Sequence, residues 1–257
     1  MTTLIQFTDL HWYADAATDY RGCNTRRSFG RVLDAARPRL PVDALLMTGD
    51  LVDDGSPAGY AALADLLAPL GIPALCIPGN HDAPTALAAL SGRAHMRVGG
   101  QHRLGRWLIC LLNSFLPDDA RGQLSPAQLD GLDRALAREA QGHGGRHVLV
   151  ALHHQPMPVG SRWLDGVGLQ QPAALWTVLD RHPNVRAVVF GHVHQEFDAQ
   201  RGPIRVLGTP STCAQFLRHS DDFALDPALG PGYRWFELGD DGALATGVER
   251  VAASAGG

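Results

Sequence analysis

The sequence predicts an α/β fold, and three observations carry that expectation. Short apolar runs alternate with helical patterns through most of the 257 residues, which is how βα units feed a sheet covered by helices. Capping residues stand where that alternation needs helices to begin. Beyond His194 the runs shorten and are broken by Gly, Pro and Asp, which predicts antiparallel strands forming or extending a second sheet.

Taken in order, the first strand is expected over Leu4 to Phe7. Asn24 can cap a helix running to about Arg37, and the second strand follows over Ala44 to Thr48. Ser56-Pro57 and Ser125-Pro126 each set a capping oxygen just before a first-turn proline. Between them lie the strands Ala74 to Ile77 and Trp107 to Leu112. After Ser125, Leu129, Leu132 and Leu136 fall along one face, so this segment is an amphipathic helix. Strands over His147 to Leu152 and Arg186 to Phe190 complete the alternating part. Ile204 to Leu207, Tyr233 to Leu238 and Leu244 to Val251 supply the later antiparallel strands. No repeat or linker interrupts the chain, so residues 1–251 are expected to form one domain and 252–257 a frayed tail.

Composition narrows the function classes. A net charge of -4 without a Lys/Arg block argues against a nucleic-acid polymer as partner, because such binders need a basic stripe to displace counterions. A small anionic substrate fits better. No run approaches membrane-spanning length, and the first residues enter a strand without a basic leader or cleavage site, so no membrane contact and a cytoplasmic location are expected. The four cysteines, Cys23, Cys76, Cys110 and Cys213, are widely spaced and form no CxxC pair; they read as reduced thiols. Oligomeric state is not legible.

Five motifs carry the chemistry: Asp9-Leu10-His11, Gly49-Asp50, Gly79-Asn80-His81-Asp82, His153-His154 and Gly191-His192-Val193-His194. Each follows an apolar run, and in open α/β sheets the loops after strand carboxyl ends bring distant residues together. Asp9, His11, Asp50, Asn80, His153, His192 and His194 offer oxygen and imidazole donors suited to two adjacent divalent metals. The remaining histidines, His95, His102, His143, His147, His182 and His219, have no such setting and read as surface or locally hydrogen-bonded residues.

In this order the motifs resemble those of the calcineurin-like metallophosphoesterase superfamily, D-x-H, G-D, G-N-H-D/E, H and G-H-x-H, over residues 4 to 194. The resemblance implies a four-layer αββα sandwich. It implies that Asp9, His11, Asp50 and His194 hold one metal while Asp50, Asn80, His153 and His192 hold the other, with Asp50 as the bridge. His81 would be the non-ligand histidine that contacts phosphate and assists the leaving group, and Asp82 beside it is a candidate to orient it. A narrower resemblance covers nearly the whole chain. Gly22-Cys23-Asn24-Thr25, His153-His154-Gln155-Pro156, Trp163-Leu164-Asp165, the segment from Gly191 to Glu196 and the segment from Thr209 to Phe216 are similar to bacterial class III 3′,5′-cyclic AMP phosphodiesterases. Gln155 departs from the wider superfamily, which often has proline or another small residue there; an altered pocket rim is expected from it.

These resemblances imply hydrolysis of 3′,5′-cyclic AMP to 5′-AMP by a hydroxide shared between two metals, since coordination lowers the pKa of water from ~15.7 to about 7. Substrate contacts are expected from His11, Asp50, Asn80, His81 and His194, with His154 lining the pocket. Iron or manganese is favoured and zinc or cobalt is compatible with the donors. Trp163 and Phe216 are expected in the core, with base stacking as the other role open to them. The alternatives are a broader phosphodiesterase acting on glycerophosphodiesters or 2′,3′-cyclic nucleotides, and a non-catalytic metal-binding scaffold. The scaffold should have lost ligands or His81, and none is missing.

Overall fold

The computed structural model describes residues 1–141 and 145–253, so His143 and residues 254–257 of the expected tail lie outside the described part. The first half runs β1 (Thr2–Phe7), β2 (Asp19–Tyr20), β3 (Cys23–Asn24), α1 (Thr25–Ala36), β4 (Ala44–Thr48), α2 (Pro57–Leu67), β5 (Ala74–Ile77), α3 (Pro84–Ala88), β6 (Met96–Val98), β7 (Gly100–Leu104) and β8 (Trp107–Leu111). The second half continues with α4 (Pro126–Gln141), β9 (His147–Ala151), α5 (Arg162–Asp165), α6 (Pro172–Leu179), β10 (Val185–Phe190), β11 (Phe197–Arg201), β12 (Ile204–Gly208), β13 (Gly232–Leu238) and β14 (Leu244–Arg250).

Two six-stranded sheets result, ordered β14-β13-β1-β4-β5-β6 and β11-β12-β10-β9-β8-β7, with β2-β3 as a separate hairpin. The strands β1, β4, β5 and β6 run parallel, as do β8, β9, β10 and β12, and antiparallel strands close three of the four sheet edges. Successive side chains on a strand face opposite ways, and the buried residues divide accordingly. Ile5, Phe7, Leu45 and Met47 pack under α1 and α2 with Phe29, Val32 and Leu63. Leu4, Leu46 and Leu75 point the other way and meet Ile109, Leu149 and Val189 of the second sheet. Val148, Val150 and Val188 then face α4 and α6 through Leu132, Leu136 and Leu175. The layers are therefore helix, sheet, sheet, helix. Strands buried on both faces need apolar residues at every position, which is why these segments read as unbroken runs.

Helix starts follow the sequence signals. Asn24 Oδ1 accepts from Arg27 N at 3.0 Å, Ser56 Oγ from Gly59 N at 3.0 Å and Ser125 Oγ from Gln128 N at 3.2 Å. Two expectations are corrected. The strands over Tyr233 to Leu238 and Leu244 to Val251 extend the first sheet, because β13 pairs antiparallel with the open edge of β1. The strand over Ile204 to Leu207 joins the second sheet parallel to β10, and only its pairing with β11 is antiparallel. All four cysteines are free thiols. Among the described residues no helix is long and apolar enough to cross a membrane.

One polar staple between the sheets sets their register at the functional end. Gln6 is fully buried, and its Nε2 donates to Thr48 Oγ1 at 2.8 Å and across the sheets to Phe190 O at 3.1 Å, while Thr209 Oγ1 donates to its Oε1 at 2.7 Å. A buried amide satisfied on both ends fixes one relative position, since any slide would strand it without partners.

Candidate metal centre

The seven expected donors lie just past the carboxyl ends of β1, β4, β5, β9 and β10, where parallel strands deliver their loops to one edge. The loops continue the ladders briefly: Asp9 N donates to Gly49 O at 3.0 Å, His11 N to Asp50 O at 2.9 Å and Gly191 N to His153 O at 3.0 Å. The chain then turns sharply. Asp9, His11, Asp50, His192 and His194 all have positive φ, between 45° and 66°. Non-glycine residues rarely adopt this left-handed conformation, and its cost is tolerated where the surrounding structure over-determines it, as in functional sites. Two glycines let the loops approach. A Cβ on Gly79 would sit 2.2 Å from Asp50 Oδ1, and one on Gly191 would sit 2.0 Å from Thr8 Oγ1 and 2.8 Å from Asp9 Oδ2.

The donors form two connected groups. His11 Nε2 and His194 Nε2 are 3.1 Å apart, and Asp9 Oδ1 is 3.4 Å from His194 Nε2. On the other side His153 Nε2 lies 3.3 Å from Asn80 Oδ1, 3.3 Å from His192 Nδ1 and 3.3 Å from Asp50 Oδ2. Asp50 Oδ2 is also 3.8 Å from His11 Nε2, so it touches both groups. Asp9 reaches across as well, with Oδ1 at 3.9 Å from His153 Nε2, but both its oxygens already accept from His192 N at 3.0 Å.

The hydrogen bonds behind the rings decide what this cluster can hold. A carbonyl only accepts, so the Nδ1 of His153 donates to Thr48 O at 2.8 Å and that of His194 to Ala214 O at 2.7 Å. His11 Nδ1 likewise donates to Asp53 Oδ1 at 2.7 Å. In the neutral rings every Nε2 therefore presents a lone pair to other lone pairs and carboxylate oxygens. A proton or a metal cation relieves that arrangement, and second-sphere acceptors of this kind are what orient metal-binding histidines. Protonation follows the same logic. At His153 burial opposes a charge, yet Asp50 and Asp9 raise its pKa to about 9, so positive charge is drawn into the cluster. Burial would raise the Asp50 pKa, and the neighbouring His153 and His81 instead hold it well below the usual carboxylate range. His192, buried beside His154 and His153, is pushed well below an ordinary histidine and is kept neutral, as a ligand must be.

His81 stands apart from the donors at the accessible side, with 37% of its side chain exposed. Its Nδ1 is 2.9 Å from Asp53 Oδ1, so the ring is held by that nitrogen and Nε2 is the one available to a ligand among the described residues. Burial lowers its basicity, but Asp50 and Asp53 outweigh that and raise its pKa to about 9. Asp82 does not orient it. The Asp82 carboxylate faces the other way, accepting from Leu51 N, Val52 N and Gly79 N at 2.9–3.1 Å and from Tyr60 Oη at 2.7 Å, and so it shapes the turn that carries Asn80 and His81. Asp53, unnoticed in the sequence although it lies three residues after Asp50, takes the orienting position; Tyr13 also donates to it.

His154 is fully buried, with Nδ1 at 2.8 Å from Ser114 Oγ. Burial and the nearby His153 depress its pKa to about 3. It lies beside His153 and His192, and ligand atoms of these three rings come within 4.8 Å of one another. Gln155 is buried too, donating to Leu164 O at 2.6 Å, so the expected effect on a pocket rim is replaced by support of the Trp163 turn. The Thr209–Phe216 segment braces the ligands from behind: Ser211 Oγ donates to Asp9 O at 2.7 Å, and Phe216 stacks on His194. Tyr20, for which the sequence offers no signal, stacks on His11. Of the other histidines, His95, His102 and His182 make local hydrogen bonds, His147 packs on Trp107 and His219 is exposed.

Two facing sheets with a buried His/Asp cluster at their strand ends define a fold and site fit for divalent metals. The chain belongs to the calcineurin-like phosphoesterase family, whose match covers residues 2–196. A 3′,5′-cyclic adenosine monophosphate phosphodiesterase of Pseudomonas aeruginosa is 41% identical over 249 residues, covering 96% of this chain and 89% of the relative. A 3′,5′-cyclic-nucleotide phosphodiesterase of Nostoc sp. is 40% identical over 252 residues, covering 97% of this chain and 92% of the relative. Among solved structures, a dimetal phosphatase from Danio rerio aligns with a TM-score of 0.62 at 15% identity, covering 98% of this chain and 99% of that one, a likeness of fold alone.

Proposed function

We propose that the chain hydrolyses 3′,5′-cyclic AMP to 5′-AMP at a two-metal centre, and that residues 1–251 act as one catalytic domain. The observation that carries this reading is the set of lone pairs from His11, His153 and His194 turned toward one another and toward Asp9 and Asp50, each fixed by an acceptor behind its ring. Asp9, His11, Asp50 and His194 would hold one cation, and Asp50, Asn80, His153 and His192 the second, with iron or manganese favoured. When bound, such a pair acidifies water and offsets charge on phosphate oxygens. His81, protonated and held by Asp53, donates through Nε2 to the departing 3′-oxygen. His11, Asp50, Asn80, His81 and His194 line the place of the phosphate, and His154 lines the same pocket. The relatives at 41% and 40% identity, which are phosphodiesterases of 3′,5′-cyclic nucleotides, support the cyclic-nucleotide substrate.

The test is a turnover panel on protein reconstituted with Mn²⁺ or Fe²⁺, comparing 3′,5′-cyclic AMP, 2′,3′-cyclic AMP and glycerophosphodiesters with product regiochemistry recorded. Cyclic AMP should have the highest kcat/KM and yield 5′-AMP. Formation of 3′-AMP, or a higher kcat/KM on glycerophosphodiesters, would replace the substrate assignment.

A further inference from the structure

Aromatic rings lead from the metal centre to the surface, and one guanidinium closes their arc. Tyr20 lies flat on His11, with centroids 3.8 Å apart and planes at 4°, and Phe216 lies flat on His194 at 3.9 Å and 10°. Phe216, Trp163 and Phe223 then meet edge to face in a triangle, at 5.1 Å, 5.2 Å and 5.4 Å. From the Tyr20 side, the Arg21 guanidinium stands 5.6 Å from the Tyr20 centroid and 4.8 Å from that of Phe223. Tyr20 also meets the edge of the exposed His81 ring, so this arc borders the accessible side of the centre.

Both outer members are presented by built backbone. Arg21-Gly22 is the two-residue loop of the β2–β3 hairpin, with φ of 52° and 77°, the signs of a type I′ turn. That turn favours Asn, Asp or Gly at its first position, so an arginine there is held at a conformational cost. Its guanidinium enters no ion pair among the described residues. Phe223 sits on a loop tied by Leu217 N to Ala224 O at 2.8 Å, Asp226 N to Gln215 O at 2.9 Å and an Arg162–Asp221 ion pair at 3.1 Å. Phe223 is nonetheless 45% exposed. A half-exposed aromatic residue on a tied loop beside an exposed planar cation suits a flat π system, which stacks on the ring while the cation covers it.

We propose that Arg21 and Phe223 form the clamp for the nucleobase of the substrate. This rests on the cyclic-nucleotide reading and adds to it the element that selects the alcohol portion, since the metal ligands meet only phosphate. The exposed Arg21 side chain swings aside, the base stacks on Phe223, and the guanidinium closes over the base.

The test compares cyclic AMP with methyl riboside 3′,5′-cyclic phosphate, which has the same phosphate ring and no base, on Mn²⁺-reconstituted wild type and variants. Phe223→Ala should raise KM for cyclic AMP about tenfold more than for the base-free ester, the scale of one lost base-aromatic stack. Phe223→Trp should keep the wild-type KM. Arg21→Ala should raise KM selectively for cyclic AMP, and Arg21→Lys should recover little of it, because an ammonium has no plane to lay on a base. Equal changes for both esters, full recovery by Arg21→Lys, or an unchanged cyclic AMP KM in Phe223→Ala would overturn the clamp while leaving the activity in place. Absence of cyclic AMP turnover by the wild type would instead remove the reading on which the clamp stands.

Discussion

His11 and His81 share one oxygen: Asp53 Oδ1 lies 2.7 Å from the Nδ1 of the first ring and 2.9 Å from that of the second. A group assigned to metal binding and a group assigned to proton donation are thus oriented by the same carboxylate.

Asp53→Asn should therefore lower kcat by about 10- to 100-fold, the usual scale for an outer partner of a metal ligand. Its pH profile should also move. His81 acts when protonated, so activity fades as pH rises through its pKa, which Asp50 and Asp53 raise to about 9. Removing the Asp53 charge lowers that pKa, and the alkaline limb of kcat/KM should shift to lower pH. An unmoved limb would show that Asp53 acts on His11 alone.

His81→Ala should keep both metals and lose ~10²- to 10⁴-fold in turnover, the range of general acid or base assistance. A nitrophenyl diester, whose leaving group needs no proton, should lose much less. Equal losses on the two substrates would leave His81 a purely positional role.

Gly79→Ala changes no ligand, yet its methyl would meet Asp50 Oδ1 at 2.2 Å and Asp50 N at 2.5 Å. Backbone cannot yield as a flexible side chain does, so the variant should lose metal nearly as completely as Asp50→Ala. Metal content per chain, measured after reconstitution, decides this; a full complement in Gly79→Ala would show that the loop relaxes.

Chelation should destabilise the fold, because the cluster then holds facing lone pairs and left-handed backbone without compensation. Metal that binds only the native state adds about 2.7 kcal/mol at one hundred times its Kd. Tm should rise with added Mn²⁺ and fall with chelator, and a Tm indifferent to both would argue against metal binding at these residues.

Much of the scaffold was legible because its central strands are buried on both faces. Ala44–Thr48 and Ala74–Ile77 carry no polar residue apart from a terminal threonine, and such runs have few other uses. The edge strands were not legible. Gly100–Leu104 and Phe197–Arg201 are short and half-exposed and contain Gln, His, Arg and Asp, so their extended form is set by the neighbours β8 and β12 rather than by their own pattern. The sheet to which Tyr233–Leu238 belongs was hidden for a related reason: an antiparallel strand can add to any open edge, and only the tertiary structure shows that β1 offers it. At the site, metal-donor types at strand ends announced themselves. The role of Asp82 and the part of Asp53 did not, because the sequence neighbour of His81 turns to the backbone while the residue 28 positions earlier turns to its ring.

The brace behind the metal ligands has a consequence for synthesis of the chain. All seven donors have been made once His194 is added, but the carbonyl that holds its ring belongs to Ala214, the hydroxyl that holds the Asp9 loop belongs to Ser211, and the strand that covers β1 is β13. A nascent chain, or a fragment cut after residue 196 where the family match ends, therefore carries every donor but lacks the groups that aim His194 and hold the Asp9 loop. Metal capture should be a late event, coupled to arrival of the carboxyl-terminal strands.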